Sequence, residues 1–256
     1  PAYEELPDES TELNKAILAD TNFANWVKSN VAEHKVPGYS IVNISLKPIG
    51  GVPGDCTCLQ MDAVADIAEK YSFDELRVTH EQNLTLAHVR KKDLHAVYEA
   101  LKAHDLATAN IGLITDQIAC PGLDYCALAN ARSIPLAQQI SERFADIERQ
   151  HEIGELKINT SGCINACGHH HVGHIGILGV DKKGVEYYQV TLGGAADEKT
   201  AIGDIVGRAF TEGEVVDAIE TIVTTYIGAR TDGERFIDTY RRVGIDPFKE
   251  SLYETH

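Results

Sequence analysis

Three observations predict an α+β fold for this chain. Between residues 37 and 106 the apolar spacing switches between strand and helix periods in the order β-α-β-β-α, which suggests an antiparallel-sheet sandwich half-module of ferredoxin-like type. Across residues 107–256, short β-branched runs alternate with helix-length stretches, as in a mixed α/β domain. Four cysteines fall as two pairs in glycine-flanked turns of that second domain, and residues 1–36 read as a helical lead-in.

Residues 1–9 are acidic, contain two prolines and are expected to be flexible. Ser10 or Thr11 caps a helix with Leu13, Ile17 and Leu18 at helical spacing, and Trp26 and Val27 belong to a following turn or second helix. Pro37-Gly38 ends this region, and residues 39–46 alternate like a strand. The run K-P-I-G-G-V-P-G-D at 47–55 is neither a phosphate loop nor a dinucleotide fingerprint, so alone it reads as a turn. Cys56 and Cys58 are too close for an ordinary disulfide and read as core thiols. Residues 61–71 form an amphipathic helix with Val64, Ile67 and Ala68 inward. Strands at 76–79 and 84–89 flank the turn His80-Glu81-Gln82-Asn83, and 93–104 returns as a helix.

In the second domain, residues 111–114 lead to the first cysteine pair, and 127–150 read as a helix restarted or kinked at Pro135. Residues 156–159 form a strand that delivers Thr160 to the second pair. Strands at 175–180 and 185–192 are joined by the turn Asp181-Lys182-Lys183-Gly184. Helices follow at 214–227 and 234–243, and Asp246-Pro247 stops the structure, leaving a short polar tail.

The chemistry concentrates in residues 160–176, T-S-G-C-I-N-A-C-G-H-H-H-V-G-H-I-G, with the earlier stretch A-C-P-G-L-D-Y-C at 119–126. Thiolates are soft anionic ligands, and two pairs close a four-sulfur cage around zinc or an iron–sulfur cluster. The Cys163/Cys167 gap suits a zinc knuckle, but Cys120/Cys126 is wider, so the spacing favours the larger cluster while zinc stays open. Ile164 and Ala166 in one pair, and Pro121, Gly122 and Leu123 in the other, are the small or apolar residues expected around a centre shielded from water. Gly162 and Gly168 let backbone pass close to such a centre, and Asn165 either donates its amide to a sulfur or cofactor or caps the turn. The consecutive histidines His169, His170 and His171 cannot all face one way on a strand; with His174, one or two offer a proton or positive charge and a third is exposed.

Composition narrows the classes further. The 256 residues carry ample apolar content for a core, with no apolar run of about eighteen residues and no basic apolar leader, so neither a spanning helix nor a secretion signal is expected. The thiols are therefore expected to be reduced, in the cytoplasm. A net charge of -16 excludes nucleic acid and anionic membrane surfaces as partners.

The two cysteine stretches, with Y-Y-Q-V-T-L-G-G at 187–194, resemble the cluster region of the sirohaem sulfite and nitrite reductases. The H-H-H-V-G-H run and the ending R-F-I-D-T-Y-R-R-V-G-I-D-P-F-K-E are most similar to the proteobacterial sulfite reductase haemoproteins, and the likeness runs from about Gly38 to the C-terminus. The resemblance implies that Cys120, Cys126, Cys163 and Cys167 hold a [4Fe-4S] cluster, with Cys167 bridging to the sirohaem iron. It makes the second domain a cluster- and sirohaem-binding domain, and it makes His80, Gln82, Asn83, Asn165 and Gly168 candidate cofactor contacts; for the corner residues, satisfying hairpin backbone is the other reading. The implied activity is the six-electron reduction of sulfite to sulfide. Nitrite reduction to ammonia, or a non-catalytic zinc or iron–sulfur module, is the alternative. Near the cysteines the cations besides histidine are Arg132 and Lys157, too few for an anionic substrate and a carboxylate-bearing macrocycle. The family resolves this by length. Its members are about twice as long, so this chain is expected to be a C-terminal portion whose N-terminal half supplies the substrate-binding Arg and Lys. With no flavin or nicotinamide fingerprint, electrons are expected from a separate flavoprotein or ferredoxin.

Overall fold

The computed structural model describes residues 1–7 and 10–253. It forms two compact units, one of residues 1–48 and 54–111, the other of residues 49–53 and the chain from Gly112 on.

In the first unit the Ser10 hydroxyl accepts the Leu13 N–H at 3.2 Å and opens α1 (Thr11–Ala19). The Asp20 carboxylate accepts the Asn22 and Phe23 amides and opens α2 (Thr21–Asn30), which carries Trp26. The apolar stripe of α1 is Leu13, Ala16 and Ile17; Leu18, expected inward, lies one position off it and is exposed. A short edge strand that the sequence did not reveal, β1 (Val31–Glu33), pairs with β2 (Tyr39–Ile44). A Thr57/Gln60 capping box starts α3 (Cys58–Tyr71) at Cys58 rather than Met61. β3 (Leu76–Val78), β4 (Leu84–Arg90) and α4 (Leu94–Lys102) complete the unit, whose antiparallel sheet runs β1-β2-β4-β3. Phe23, Trp26, Val42, Ile44, Val64, Leu86 and Leu101 fill its core.

Two expectations fail here. Cys58, on the first turn of α3, is exposed and is no core thiol, whereas Cys56 is half-buried and packs against the edge of the core. The acidic lead-in is tied down over residues 1–7: the Glu4 amide donates to the Tyr39 hydroxyl at 3.1 Å, the Tyr3 hydroxyl lies 3.1 Å from His88 Nδ1, and Leu6 packs on the bare Cα of Gly38. Residues 8, 9 and 254–256, which include parts of the expected lead-in and tail, lie outside the described residues.

The second unit is built on a mixed sheet. β5 (Ile118–Ala119), α5 (Ile134–Arg143), α6 (Ile147–Ile153) and β6 (Ile158–Ser161) come first. β7 (Ile175–Lys182), β8 (Val185–Leu192), β9 (Asp204–Ile205) and β10 (Phe210–Thr211) follow. Then come α7 (Glu212–Ala229), α8 (Phe236–Val243) and α9 (Asp246–Tyr253). The order is β10-β8-β7-β6-β5 with β9 beside β8; β5, β6 and β7 are parallel and the other pairs antiparallel. The β7–β8 hairpin closes on Lys183 and Gly184, both at positive φ (59° and 83°), the twist that two-residue hairpins favour. Residues 49–53 join this unit where the Gly50 amide donates to Ser141 Oγ at 2.9 Å and Gln138 Nε2 donates to the Gly50 carbonyl at 3.0 Å.

The expected single helix over 127–150 is two helices preceded by turns. Pro135 sits in the first turn of α5, where its missing N–H breaks no bond, and Asp146 caps α6 by accepting the Glu148 and Arg149 amides. Nor does Pro247 stop the structure. It starts α9 and drives Phe248, fully buried, against Phe236 and Tyr240. Among the described residues no helix is long and apolar enough to cross a membrane.

Candidate metal centre

Both cysteine pairs lie in the second unit, beyond the carboxyl ends of the parallel strands β5 and β6. Their register pairs Ala119 with Thr160, and the Cys120 amide extends the ladder by donating to the Thr160 carbonyl at 3.1 Å. Cys120 therefore leaves β5 beside the point where β6 runs into Gly162-Cys163. Carboxyl ends of parallel strands are where open α/β sheets present ligand sites.

The two turns interlock through backbone. The Asn130 and Ala131 amides both donate to the Gly162 carbonyl, at 2.8 and 3.1 Å. A Cβ on Gly162 would lie 2.9 Å from the Gly122 Cα and 2.7 Å from the Ala131 carbonyl oxygen, so only glycine permits this approach. Gly168 is as tightly placed: a Cβ there would fall 2.0 Å from the Thr160 carbonyl oxygen, because the chain must double back on β6 to reach the parallel strand β7. Within the second turn the Ala166 amide donates to the Cys163 carbonyl and the His169 amide to the Ala166 carbonyl, with Ala166 and His169 both left-handed.

The sulfurs differ in exposure. Cys120 and Cys163 are buried, Cys126 is half-buried and Cys167 is exposed. Cys120 Sγ accepts the Gly162 N–H at 3.0 Å and has the Ser133 hydroxyl at 3.4 Å. Among the described residues no three His, Cys, Asp or Glu side chains gather to hold a metal ion; the fold supplies four thiols on adjoining turns. That donor set, with an amide already directed at one sulfur, suits thiolate coordination.

The expectation of an apolar shield is corrected. Ile164 is 80% exposed and Leu123 41%, and with exposed Tyr125 and Leu128 they form apolar surface flanking the cysteines. Asn165 is exposed and Gly168 buried. The histidines are corrected too, since residues 170–172 are a tight helical turn, not a strand, and leave two of them exposed, His169 and His171. Burial pushes His170 down to about 4, aided by His171, and burial likewise pushes His174 down to about 4, so both are neutral near pH 7 and offer no positive charge. His174 is a packing residue: its Nδ1 accepts the Lys157 amide at 3.2 Å and its ring stacks on Phe236. Arg132 is engaged by acids, its guanidinium Nε 3.9 Å from Asp124 and from Glu186.

His80, Gln82 and Asn83 belong to the first unit. His80 is exposed, and Gln82 is half-buried at a φ of 58°. The buried Asn83 side chain accepts the Leu46 amide at 3.2 Å, which ties the corner to the end of β2. The buried Lys47 ammonium donates to the Glu81 carbonyl and holds the same corner. Neither Lys47 nor Ser133 is among the candidate site residues that the sequence suggests. For Ser133 the signal was present, a serine just ahead of the Ile-Pro that begins α5.

Paired cysteines on interlocked turns at the ends of parallel strands mark a mixed α/β protein with a candidate thiolate metal centre. The chain belongs to the nitrite and sulphite reductase 4Fe-4S domain family, which residues 113–256 match; residues 38–104 match the nitrite/sulfite reductase ferredoxin-like half domain. It is similar to sulfite reductase [ferredoxin] 2 of Mycolicibacterium paratuberculosis, 30% identical over 80% of this chain and 38% of that protein. It is also similar to the sulfite reductase [NADPH] hemoprotein beta-component of Anoxybacillus flavithermus, 29% identical over 72% and 32%. The chloroplastic ferredoxin--nitrite reductase of Betula pendula is 27% identical over 85% and 38%. Among solved structures, Mycobacterium tuberculosis NirA superposes with a TM-score of 0.70 at 25% identity, covering 86% of this chain and 41% of that one. Dissimilatory sulfite reductase I shares the fold, with a TM-score of 0.68 at 13% identity, over 85% and 70%. The chain spans about a third to two fifths of the length of these curated relatives.

Proposed function

We propose that this chain is the [4Fe-4S]- and sirohaem-holding portion of a longer assimilatory sulfite reductase haemoprotein, an oxidoreductase that reduces sulfite to sulfide with six electrons. The interlocking of the two cysteine turns through Gly122, Gly162, Asn130 and Ala131 supports this reading, because it ties together the two loops that carry the cysteine pairs. Cys120, Cys126, Cys163 and Cys167 are the proposed cluster ligands. Cys167, the exposed one, is the ligand that would also be shared with the sirohaem iron. When bound, the coupled groups supply electron storage beside an iron with an open face.

The chain's own residues do the rest. The Gly162 amide holds Cys120 Sγ in place, and burial keeps Cys120 and Cys163 from water. Asn165 and Gly168 on the second turn, and His80, Gln82 and Asn83 on the β3–β4 corner, are the proposed cofactor contacts. The substrate-binding Arg and Lys residues are assigned to the remainder of the polypeptide, and electrons to a separate flavoprotein or ferredoxin. Six cysteines outside any disulfide fit a reducing cytoplasm.

The test is the full-length protein produced with sirohaem synthesis active. The reading expects iron, acid-labile sulfide, a chlorin-type visible band and sulfite-dependent oxidation of a reduced dye. Zinc with no such band would end it. Nitrite is the second reading, favoured by the 85% of the chain that aligns with the Betula pendula enzyme, and the ratio of kcat/KM for the two anions decides between them.

A further inference from the structure

Ser133 occupies the N-cap position of α5, where a serine hydroxyl ordinarily accepts an amide N–H from the helix's first turn. It makes no such bond. Its backbone is helical rather than extended, with φ -102° and ψ -38°, and its hydroxyl lies 3.4 Å from Cys120 Sγ. Ser133 is fully buried, so water does not satisfy that hydroxyl. The space around it is set by bare backbone: a Cβ on Gly122 would come within 2.9 Å of Ser133 Oγ, and one on Gly162 within 3.1 Å. The same sulfur accepts the Gly162 N–H at 3.0 Å. Both turns thus leave room for one hydroxyl against one sulfur, and the helix gives up a side-chain cap for it.

We propose that Ser133 donates its hydroxyl to the Cys120 thiolate and thereby raises the reduction potential of the cluster that this thiolate ligates; this rests on the cluster assignment above. With a thiol, either partner is able to donate, but a metal-bound cysteine has no proton, so the hydroxyl must be the donor. One-electron reduction adds a negative charge that is shared by the ligand sulfurs. A donor aimed at such a sulfur stabilises the reduced form more than the oxidised one. The bond is present in both oxidation states and only its strengthening on reduction counts, so losing it is expected to lower the reduction equilibrium constant by up to about tenfold. For a one-electron couple that is about 59 mV.

The experiment compares full-length holoenzyme, S133A and S133T by redox titration of the cluster, followed by electron paramagnetic resonance, with iron and acid-labile sulfide counted in each. The expected result is an unchanged cluster content, a potential lowered by up to about 59 mV in S133A, and restoration in S133T. An S133A enzyme with full cluster and an unshifted potential would overturn the proposal. So would S133A chains that lose their circular dichroism signature, because the hydroxyl would then be serving the fold. An unsubstituted enzyme without iron and labile sulfide would instead sink the cluster assignment, and the counts tell these failures apart.

Discussion

The Cys120 amide reaches the Thr160 carbonyl at 3.1 Å, so the first residue of one cysteine turn is hydrogen-bonded to the strand that feeds the other. The placement of the two cysteine turns is therefore a sheet property before it is a loop property. Whatever separates β5 from β6, or wedges the turns apart, is expected to remove the site without touching a ligand.

Glycine substitutions test that directly. G168A places a methyl 2.0 Å from the Thr160 carbonyl oxygen, and G162A places one 2.7 Å from that of Ala131. Each is expected to cost about 1–3 kcal/mol by overpacking and to lower iron incorporation. Gly228 lies inside α7 with nothing near its missing Cβ, so G228A is expected to stabilise by about 0.5–1 kcal/mol. Urea unfolding of the three variants checks both signs.

Cysteine variants separate the two classes of thiol. In the full-length protein, serine at position 120, 126, 163 or 167 is expected to bring acid-labile sulfide close to background. C56S and C58S, outside the interlocked turns, are expected to leave it unchanged. Sulfide and iron analysis of the six purified proteins reads the result.

His174 makes stability depend on pH. Its ordinary value is about 6.5 when unfolded, and burial lowers it to about 4 when folded. Between those values the unfolded chain binds the extra proton, so this contribution is complete above about pH 6.5 and is lost as pH falls toward 4. Roughly 3 kcal/mol is the ceiling for one such group. Urea midpoints taken from pH 7 to pH 4.5 should fall, and H174Q should flatten the slope.

Phe248 measures what the C-terminal helix contributes. Fully buried against Phe236 and Tyr240, it is expected to cost about 3–5 kcal/mol on F248A. Calorimetric unfolding would show it. A loss under about 1 kcal/mol would mean that α9 is a loosely attached tail.

Much of this was legible in the residues. Capping gave the start of α1 at Ser10, apolar period gave the body of α3 although not its Thr57/Gln60 start, and the turn at Lys183-Gly184 gave the β7–β8 hairpin, because these signals act locally. Gly162 and Gly168 stand out in the sequence as places where backbone passes close to a bound centre; the close neighbours in the structure are backbone atoms of Gly122, Ala131 and Thr160. What the residues hid depends on partners distant in sequence. β1 is an edge strand recognisable only beside β2, and Leu18 is exposed because the packed stripe passes through Ala16. Cys58 looked apolar enough for a core but opens a helix at the surface. Asp246-Pro247 suggests a terminator, although a proline at a first turn equally begins a helix. Ser133 is legible as a helix-start serine ahead of Ile134-Pro135, but its partner sulfur is not, since that comes from another turn.

The interlocked turns also bear on biogenesis. β5 and β6 are parallel and joined through α5 and α6, so the second pair of thiols meets the first only after that long crossover has folded. Metal delivery during translation would find half a nest. The cellular supplier of iron and sulfide should therefore engage a released, already folded polypeptide, and ribosome-bound chains arrested before Gly179 should capture no iron.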